Sequence, residues 1–339
     1  MHHAPLPIGK LPMEMLARLL RRYAHPDPRV VVGPEVGEDA AAIAMGDRYL
    51  VVKTDPITFA TDEIGWYVVN VNANDIATRG AAPRWFLCTL LLPEGHTDST
   101  LVETIFSQIA QACEELGVAL CGGHTEITYN LDRPVAVGVM LGEVEAERLV
   151  STRGVQAGDA IVLTKGIAVE GTAIIAREMD SDLRERFSAE FLARCRQFLR
   201  EPGISVVRDA RIAARAAHVH AMHDPTEGGL ATALRELATA GQVGLRVQAE
   251  AIPILPETQA LCDHLGLDPL GLIASGALLI AVAPEDAART VAALEEGGIR
   301  ASVIGEATSE PGECILLKPD GRERPLPEFP RDELARLFG

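Results

Sequence analysis

Apolar and polar positions recur along this chain with two different periods, and the changes of period divide it into elements. Met13, Leu16, Leu19, Leu20 and Tyr23 follow helical spacing just after Pro12, which predicts a helix over 13–23. After a turn-rich stretch, 40–45 and 49–54 read as two strands joined by a Gly46-Asp47 turn, an antiparallel hairpin. The stretch 68–81, VVNVNANDIATRGA, is helical, and 85–93, WFLCTLLLP, is a continuous apolar run expected to form a strand buried on both faces. An amphipathic helix over 97–116 stops at Gly117. A short apolar strand from Ala119 runs into Gly122-Gly123, and 134–143 is a further strand. At 149–159, LVSTRGVQAGD, the composition turns polar and marks a domain boundary. Beyond it, strands are predicted at 159–164, 244–247, 277–282, 301–305 and 315–318. They alternate with helices at 170–179, 182–199, 205–217, 230–240, 256–265, 285–296 and a tail at 332–338.

The polar residues that interrupt these runs carry the chemistry. In the helix over 68–81, Asn72, Asp75 and Arg79 fall at i, i+3 and i+7 and share a face, which needs a polar partner if it is buried. Such a face is either a satisfied polar patch or part of a site. Asp39 and Asp55 stand at the same end of the hairpin, at the start of one strand and the end of the other. Two carboxylates so placed repel unless a cation joins them; the alternative is a pair of solvated turn acids. In ALCGGHTEIT, Gly122 and Gly123 let backbone N–H groups approach an anion, and the hydroxyl of Thr125 and the carboxylate of Glu126 can hold an accompanying metal. In MHDPTEGGL, His223, Asp224, Thr226 and Glu227 precede Gly228-Gly229 at a helix start. The arrangement suits an anion, or a cap made by Asp224 or Thr226. A D-x-x-x-x-G element recurs in NDIATRGA and HDPTEGGL, consistent with two related domains. Neither Walker A spacing nor a dinucleotide fingerprint occurs.

Composition narrows the class. The 339 residues suffice for two domains, and 47% hydrophobic with 23% charged residues describes a soluble globular protein. No apolar run is long enough to span a bilayer, and the N-terminus is Pro-broken rather than signal-like, so a cytoplasmic protein is expected, with no membrane partner. A net charge of -17 excludes a nucleic-acid backbone as partner but suits nucleotides reached through carboxylate-held Mg²⁺. Six widely spaced cysteines without a CxxC pair read as reduced, structural thiols.

Taken in order, GEDAAAI, TDPITF, VNVNANDIATRGA, a strand ending in LLLP, GGHTEIT and HDPTEGGLATALRE resemble the superfamily of aminoimidazole ribonucleotide (AIR) synthase. That superfamily also holds selenophosphate synthetase, thiamine-monophosphate kinase and the hydrogenase maturation factor HypE. The resemblance covers about Gly33 to Lys318, and TDPITF with HDPTEGGLATAL is most similar to the HypE branch. It implies an α+β, two-domain architecture. An N-terminal helix and extension (1–32) would lead into an ATP-binding domain (33–148) whose sheet dimerises into a barrel. A C-terminal α+β domain (149–320) would pack beside it, followed by a tail (321–339). It further implies a homodimer with ATP in the interdomain cleft and Mg²⁺ held by Asp39, Asp55, Asp75 and Glu126. Gly37, Glu38, Lys53, Thr54, Asn72, Gly122, Gly123, His124 and Thr125 would line the nucleotide site. His124, Glu126 and His223 are the catalytic candidates, and Asp224, Thr226, Glu227, Gly228 and Gly229 would face a small-molecule or carrier substrate.

Three departures from HypE bear on the reaction. HypE dehydrates a carboxamide carried on its own C-terminal cysteine, whereas this chain ends DELARLFG. GGHTE puts Glu126 where HypE proteins carry Lys, and DPLGLIASG (268–276) puts Ser275 where they carry Glu. The expected activity is therefore ATP-dependent activation of an amide or carbonyl oxygen by phosphoryl transfer, without standard cyanation chemistry. The alternatives are a phosphotransferase similar to thiamine-monophosphate kinase and an ATP-binding regulator without turnover.

Overall fold

The computed structural model describes residues 6, 11–34, 38, 40–58 and 62–338, so Gly37 and Asp39 lie outside the described residues. The first half comprises α1 (Met13–Tyr23), β1 (Val30–Val32), β2 (Ala41–Met45), β3 (Arg48–Ile57), α2 (Ile64–Thr78), β4 (Ala82–Pro93), α3 (Ser99–Leu116), β5 (Ala119–Thr128) and β6 (Val135–Glu145). Its strands form one sheet in the order β1-β2-β3-β6-β4-β5, antiparallel except for the β4–β5 pair. The helices α2 and α3 cover one face. All of α2 is buried, and glycines in β6 let it come close: a Cβ on Gly142 would lie 2.3 Å from Ile76 Cγ2, and one on Gly138 2.4 Å from Asn72 Nδ2.

Three expectations for this half are corrected. Burial along β4 alternates, with Phe86, Cys88, Leu90 and Leu92 inward and Leu87, Thr89 and Leu91 half-buried, because helices pack on only one face of the sheet. Asp55 is not at the end of its strand, since β3 continues to Ile57 and pairs Asp55 with Gly138. Gly122 and Gly123 do not end a strand either; they lie inside β5, just after a bulge at Cys121.

The second half holds β7 (Ala160–Thr164), α4 (Val169–Glu178), α5 (Asp180–Leu183), α6 (Ala189–Gln197), α7 (Val207–Ala216), β8 (Val219–His223), α8 (Gly229–Gly241) and β9 (Gly244–Gln248). There follow α9 (Pro256–Leu265), β10 (Leu279–Val282), α10 (Pro284–Glu296), β11 (Ala301–Thr308), β12 (Cys314–Leu317), β13 (Glu323–Pro325) and α11 (Ala335–Phe338). The sheet runs β13-β12-β9-β11-β7-β10-β8, with β7 wholly buried near its middle. The single helix expected over 182–199 is instead broken, and α6 starts afresh at Ser188, whose hydroxyl accepts from Phe191 N–H at 3.2 Å.

The halves meet along α2. Asn74 Nδ2 donates to Ile204 O and Asn74 Oδ1 accepts from Val206 N–H, each at 2.8 Å. At the start of the helix Arg200 pairs with Glu63 at 2.6 Å and stacks 3.5 Å over the Trp66 ring, while Arg177 pairs with Asp62 at 2.7 Å. No helix among the described residues is long and apolar enough to cross a membrane.

Candidate active site

Lys53 and Asp55 sit at i and i+2 on β3 and so face the same way, toward α2. Lys53 Nζ lies 3.0 Å from Asp75 Oδ2 and 3.8 Å from Asp55 Oδ2. The Asp75 side chain is only 5% exposed, so its charge needs this ammonium. Asn72 Nδ2 donates to Asp55 O at 3.2 Å and to Val68 O at 2.8 Å, while its Oδ1 is buried with no partner among the described residues. Two carboxylates thus flank one cation, with the Asn72 amide bonded to the Asp55 backbone, and carboxylate oxygens are hard donors of the kind Mg²⁺ takes. Thr54, on the alternate face of β3, points away from this cluster.

One turn further along α2, Arg79 is fully buried and its guanidinium is ion-paired with Glu38. Its Nη2 donates to Thr152 Oγ1 at 2.6 Å, the Ser151 hydroxyl donates to Glu38, and Arg153 Nε stands 3.8 Å from the same carboxylate. Asn72, Asp75 and Arg79 share a helix face as expected, yet they serve two clusters, and Glu38 belongs to the second.

The β5 residues stand elsewhere. His124 Nε2 lies 3.0 Å from Glu126 Oε2 on an exposed stretch. Two strands, β6 and β4, separate β5 from β3, a distance of about 14 Å at ordinary strand spacing. Within one chain, therefore, Gly122, Gly123, His124, Thr125 and Glu126 do not join Lys53, Asp55 and Asp75. Among the described residues no three His, Cys, Asp or Glu side chains converge as a metal site.

In the second half, His223 ends β8, a strand the apolar pattern did not reveal. It is buried and its Nε2 lies 2.9 Å from Glu236 Oε2 on α8. Neither Asp224 nor Thr226 caps α8: the N-cap is Gly228, with φ +79°, and Gly229 follows at φ +63°. Gly228 N–H instead donates to Asp332 Oδ2 at 2.6 Å, and the same carboxylate accepts from Leu334 N–H at 2.8 Å and Ile273 N–H at 3.2 Å. The anion at this helix start is the chain's own tail. The D-x-x-x-x-G elements are not equivalent either, since one ends α2 and the other links β8 to α8.

Sequence reasoning missed Glu170, in the first turn of α4 and 5% exposed. Burial pushes its carboxyl up to about 7; the Ser275 hydroxyl and N–H draw it down, and Asp332 and Glu227 push it further up. An acid within the apolar run GIAVEGTAII was the signal. Of the six free cysteines only Cys121 is exposed, and burial pushes Cys88 and Cys262 up to about 12, as expected of structural thiols.

Comparison with known proteins agrees with this architecture. Residues 37–144 match the N-terminal domain, and residues 156–318 the C-terminal domain, of AIR synthase related proteins. The chain belongs to the AIR synthase-related family. It is 32% identical over 298 residues to a Methanocaldococcus jannaschii protein provisionally assigned to hydrogenase expression/formation, covering 86% of this chain and 85% of that one. To the carbamoyl dehydratase HypE of Rhizobium leguminosarum it is 31% identical over 290 residues, covering 81% and 78%. A crystal structure of the hydrogenase maturation protein HypE in complex with ATP superposes with a TM-score of 0.72 at 25% identity, covering 94% of this chain and 91% of that one.

Proposed function

We propose that this chain is an ATP-dependent enzyme that uses Mg-ATP to activate an amide or carbonyl oxygen by phosphoryl transfer. The observation that carries the reading is the bracketing of Lys53 by Asp55 and Asp75, with the Asn72 amide bonded to Asp55 O. Asp55, Asp75 and Asn72 Oδ1 would hold the metal, with Asp39 added by its place in the motif. Lys53 would turn its ammonium to a phosphate oxygen. The bound metal would neutralise charge that shifts toward the leaving oxygen. The HypE structure with ATP and the carbamoyl dehydratase and selenide, water dikinase relatives support an ATP-using function.

The same reading includes a homodimer. All of β5 from Ala119 to Ile127 is exposed, although Leu120 and Ile127 are apolar, and its outer edge pairs with no strand among the described residues. A second copy packed there would cover this strand and bring its His124 and Glu126 toward the acidic cluster that they cannot reach within one chain.

Calorimetric titration with ATP, with and without Mg²⁺, tests the proposal. Wild type should bind in a metal-dependent way, and Asp75→Asn should weaken binding at least about tenfold, or 1.4 kcal/mol, while remaining folded. Unchanged affinity in Asp75→Asn would overturn this assignment of the site.

A further inference from the structure

Where the first turns of α2 meet α4, the domain junction holds polar atoms that the described protein does not satisfy. Trp66 Nε1 and Tyr67 Oη on α2, and Glu170 Oε2 and Arg177 Nε on α4, are all buried without a hydrogen-bond partner among the described residues. Glu170 and Arg177 are related as i and i+7 and share a face of α4. Buried orphan atoms are costly and rare, so four at one junction mark a place built for more than packing.

Electrostatic influence links the two sides. Burial, and after it the Glu170 carboxyl, push the Tyr67 phenol up; Arg177, Glu63 and Asp62 also face that phenol. From the second domain, Ser275, Asp332 and Glu227 face Glu170. Asp332 lies in the tail, and burial pushes its own carboxyl up as well, with Glu227 adding to the effect. The tail is docked by Asp332, which accepts from Gly228 N–H and Ile273 N–H, and by Glu333 Oε2, which accepts from Asp268 N–H at 2.9 Å.

A neutral Glu170 fits this place. An ionised Glu170 sets a third carboxylate beside Asp332 and Glu227 where solvent screening is weak. Of the three, Asp332 lies in the longest stretch outside helix and strand, 326–334, so it can withdraw without breaking either.

We propose that this junction is a proton-operated latch. With Glu170 protonated, the tail stays docked through Asp332 and α2 stays seated on α4; with Glu170 ionised, Asp332 withdraws with the tail and water enters to the orphan atoms. Asn72 and Asp75 stand on another face of the same helix, so the seating of α2 is felt at the acidic cluster. The latch goes beyond the nucleotide reading and is testable without nucleotide.

Hydrogen exchange of the full chain, corrected for intrinsic rates and followed from pH 5 to pH 8, tests it. The docked state binds one more proton than the open state between the ordinary carboxylate range and about pH 7. Opening therefore rises about tenfold per pH unit up to pH 7 and is level above it. Protection in segments 62–70 and 326–338 should fall about fortyfold between pH 5 and pH 7. Glu170→Gln should show the same protection at every pH. Ser275→Ala, which removes a hydroxyl that favours the ionised form, should move the level region to higher pH. Flat protection in wild type, an equal fall in Glu170→Gln, or an unmoved profile in Ser275→Ala would each overturn the latch.

Discussion

Two stretches interrupt an apolar run with polar residues, and the fold sends them to opposite environments. Every residue of α2 is buried, including Asn70, Asn72, Asn74 and Asp75, whereas β5 is exposed from Ala119 to Ile127. The difference lies in where partners come from. The helix finds its own within the chain and divides its polar residues among three tasks: Asn74 joins the domains, Asn72 and Asp75 face Lys53 and Asp55, and Arg79 holds Glu38. The strand finds within itself the His124–Glu126 contact and the bond from the Cys121 thiol to Ala119 O. A polar motif in a sequence thus announces that partners are needed but not whether they belong to the same chain.

Substitutions should separate the two environments by size. Arg79→Ala should have the largest effect, because it leaves Glu38, 3% exposed, as an uncompensated buried charge. A loss of about 3–5 kcal/mol in urea unfolding is expected. A smaller loss would mean that Ser151 and Arg153 suffice for Glu38. Next comes the pH response of Glu170. Its carboxyl titrates at about 7 when folded and near 4.5 otherwise, so stability is fully present below 4.5, falls as pH rises through 7, and is constant above. The difference between pH 5 and pH 8 should be about 2.5 kcal/mol larger in wild type than in Glu170→Gln. Asn74→Ala should cost about 2 kcal/mol, since it strips two hydrogen bonds and leaves Ile204 O and Val206 N–H unpaired at the domain contact.

How much of this was legible follows from sequence distance. Periodicity places α1, α3, α9 and the β2–β3 hairpin well, because each rests on local spacing, whereas α2 starts at Ile64, four residues before the expected 68. Lys53 and Asp55 are also local, two residues apart on one strand. Glu38 and its partners are not: Arg79 lies 41 positions away and Ser151 113, and no periodic signal joins them. The strand β8, VHAMH, lacks an apolar alternation because His220 and His223 fall on its opposite faces and are satisfied by Asp159 and Glu236. The glycine pair of β5 reads as a loop, yet a Cβ on Gly123 would lie 1.8 Å from Cys88 O, so that glycine serves close strand pairing. The role of Asp332 was hidden for the opposite reason: the anion expected from a substrate at Gly228 is supplied by the tail itself.

The smallest effect on the folded monomer, and the sharpest test of the contrast, lies on β5. Ile127 is 59% exposed and touches little, so Ile127→Asp should change unfolding free energy by no more than about 0.5 kcal/mol. If a second copy covers this strand, the same substitution sets a desolvated carboxylate in the interface and should shift the protein from dimer to monomer in light scattering. Mg-ATP turnover should fall with it, because the partner's strand no longer reaches the acidic cluster. A dimer that survives Ile127→Asp with turnover intact would assign β5 to solvent, and His124 and Glu126 would then have no part in the chemistry.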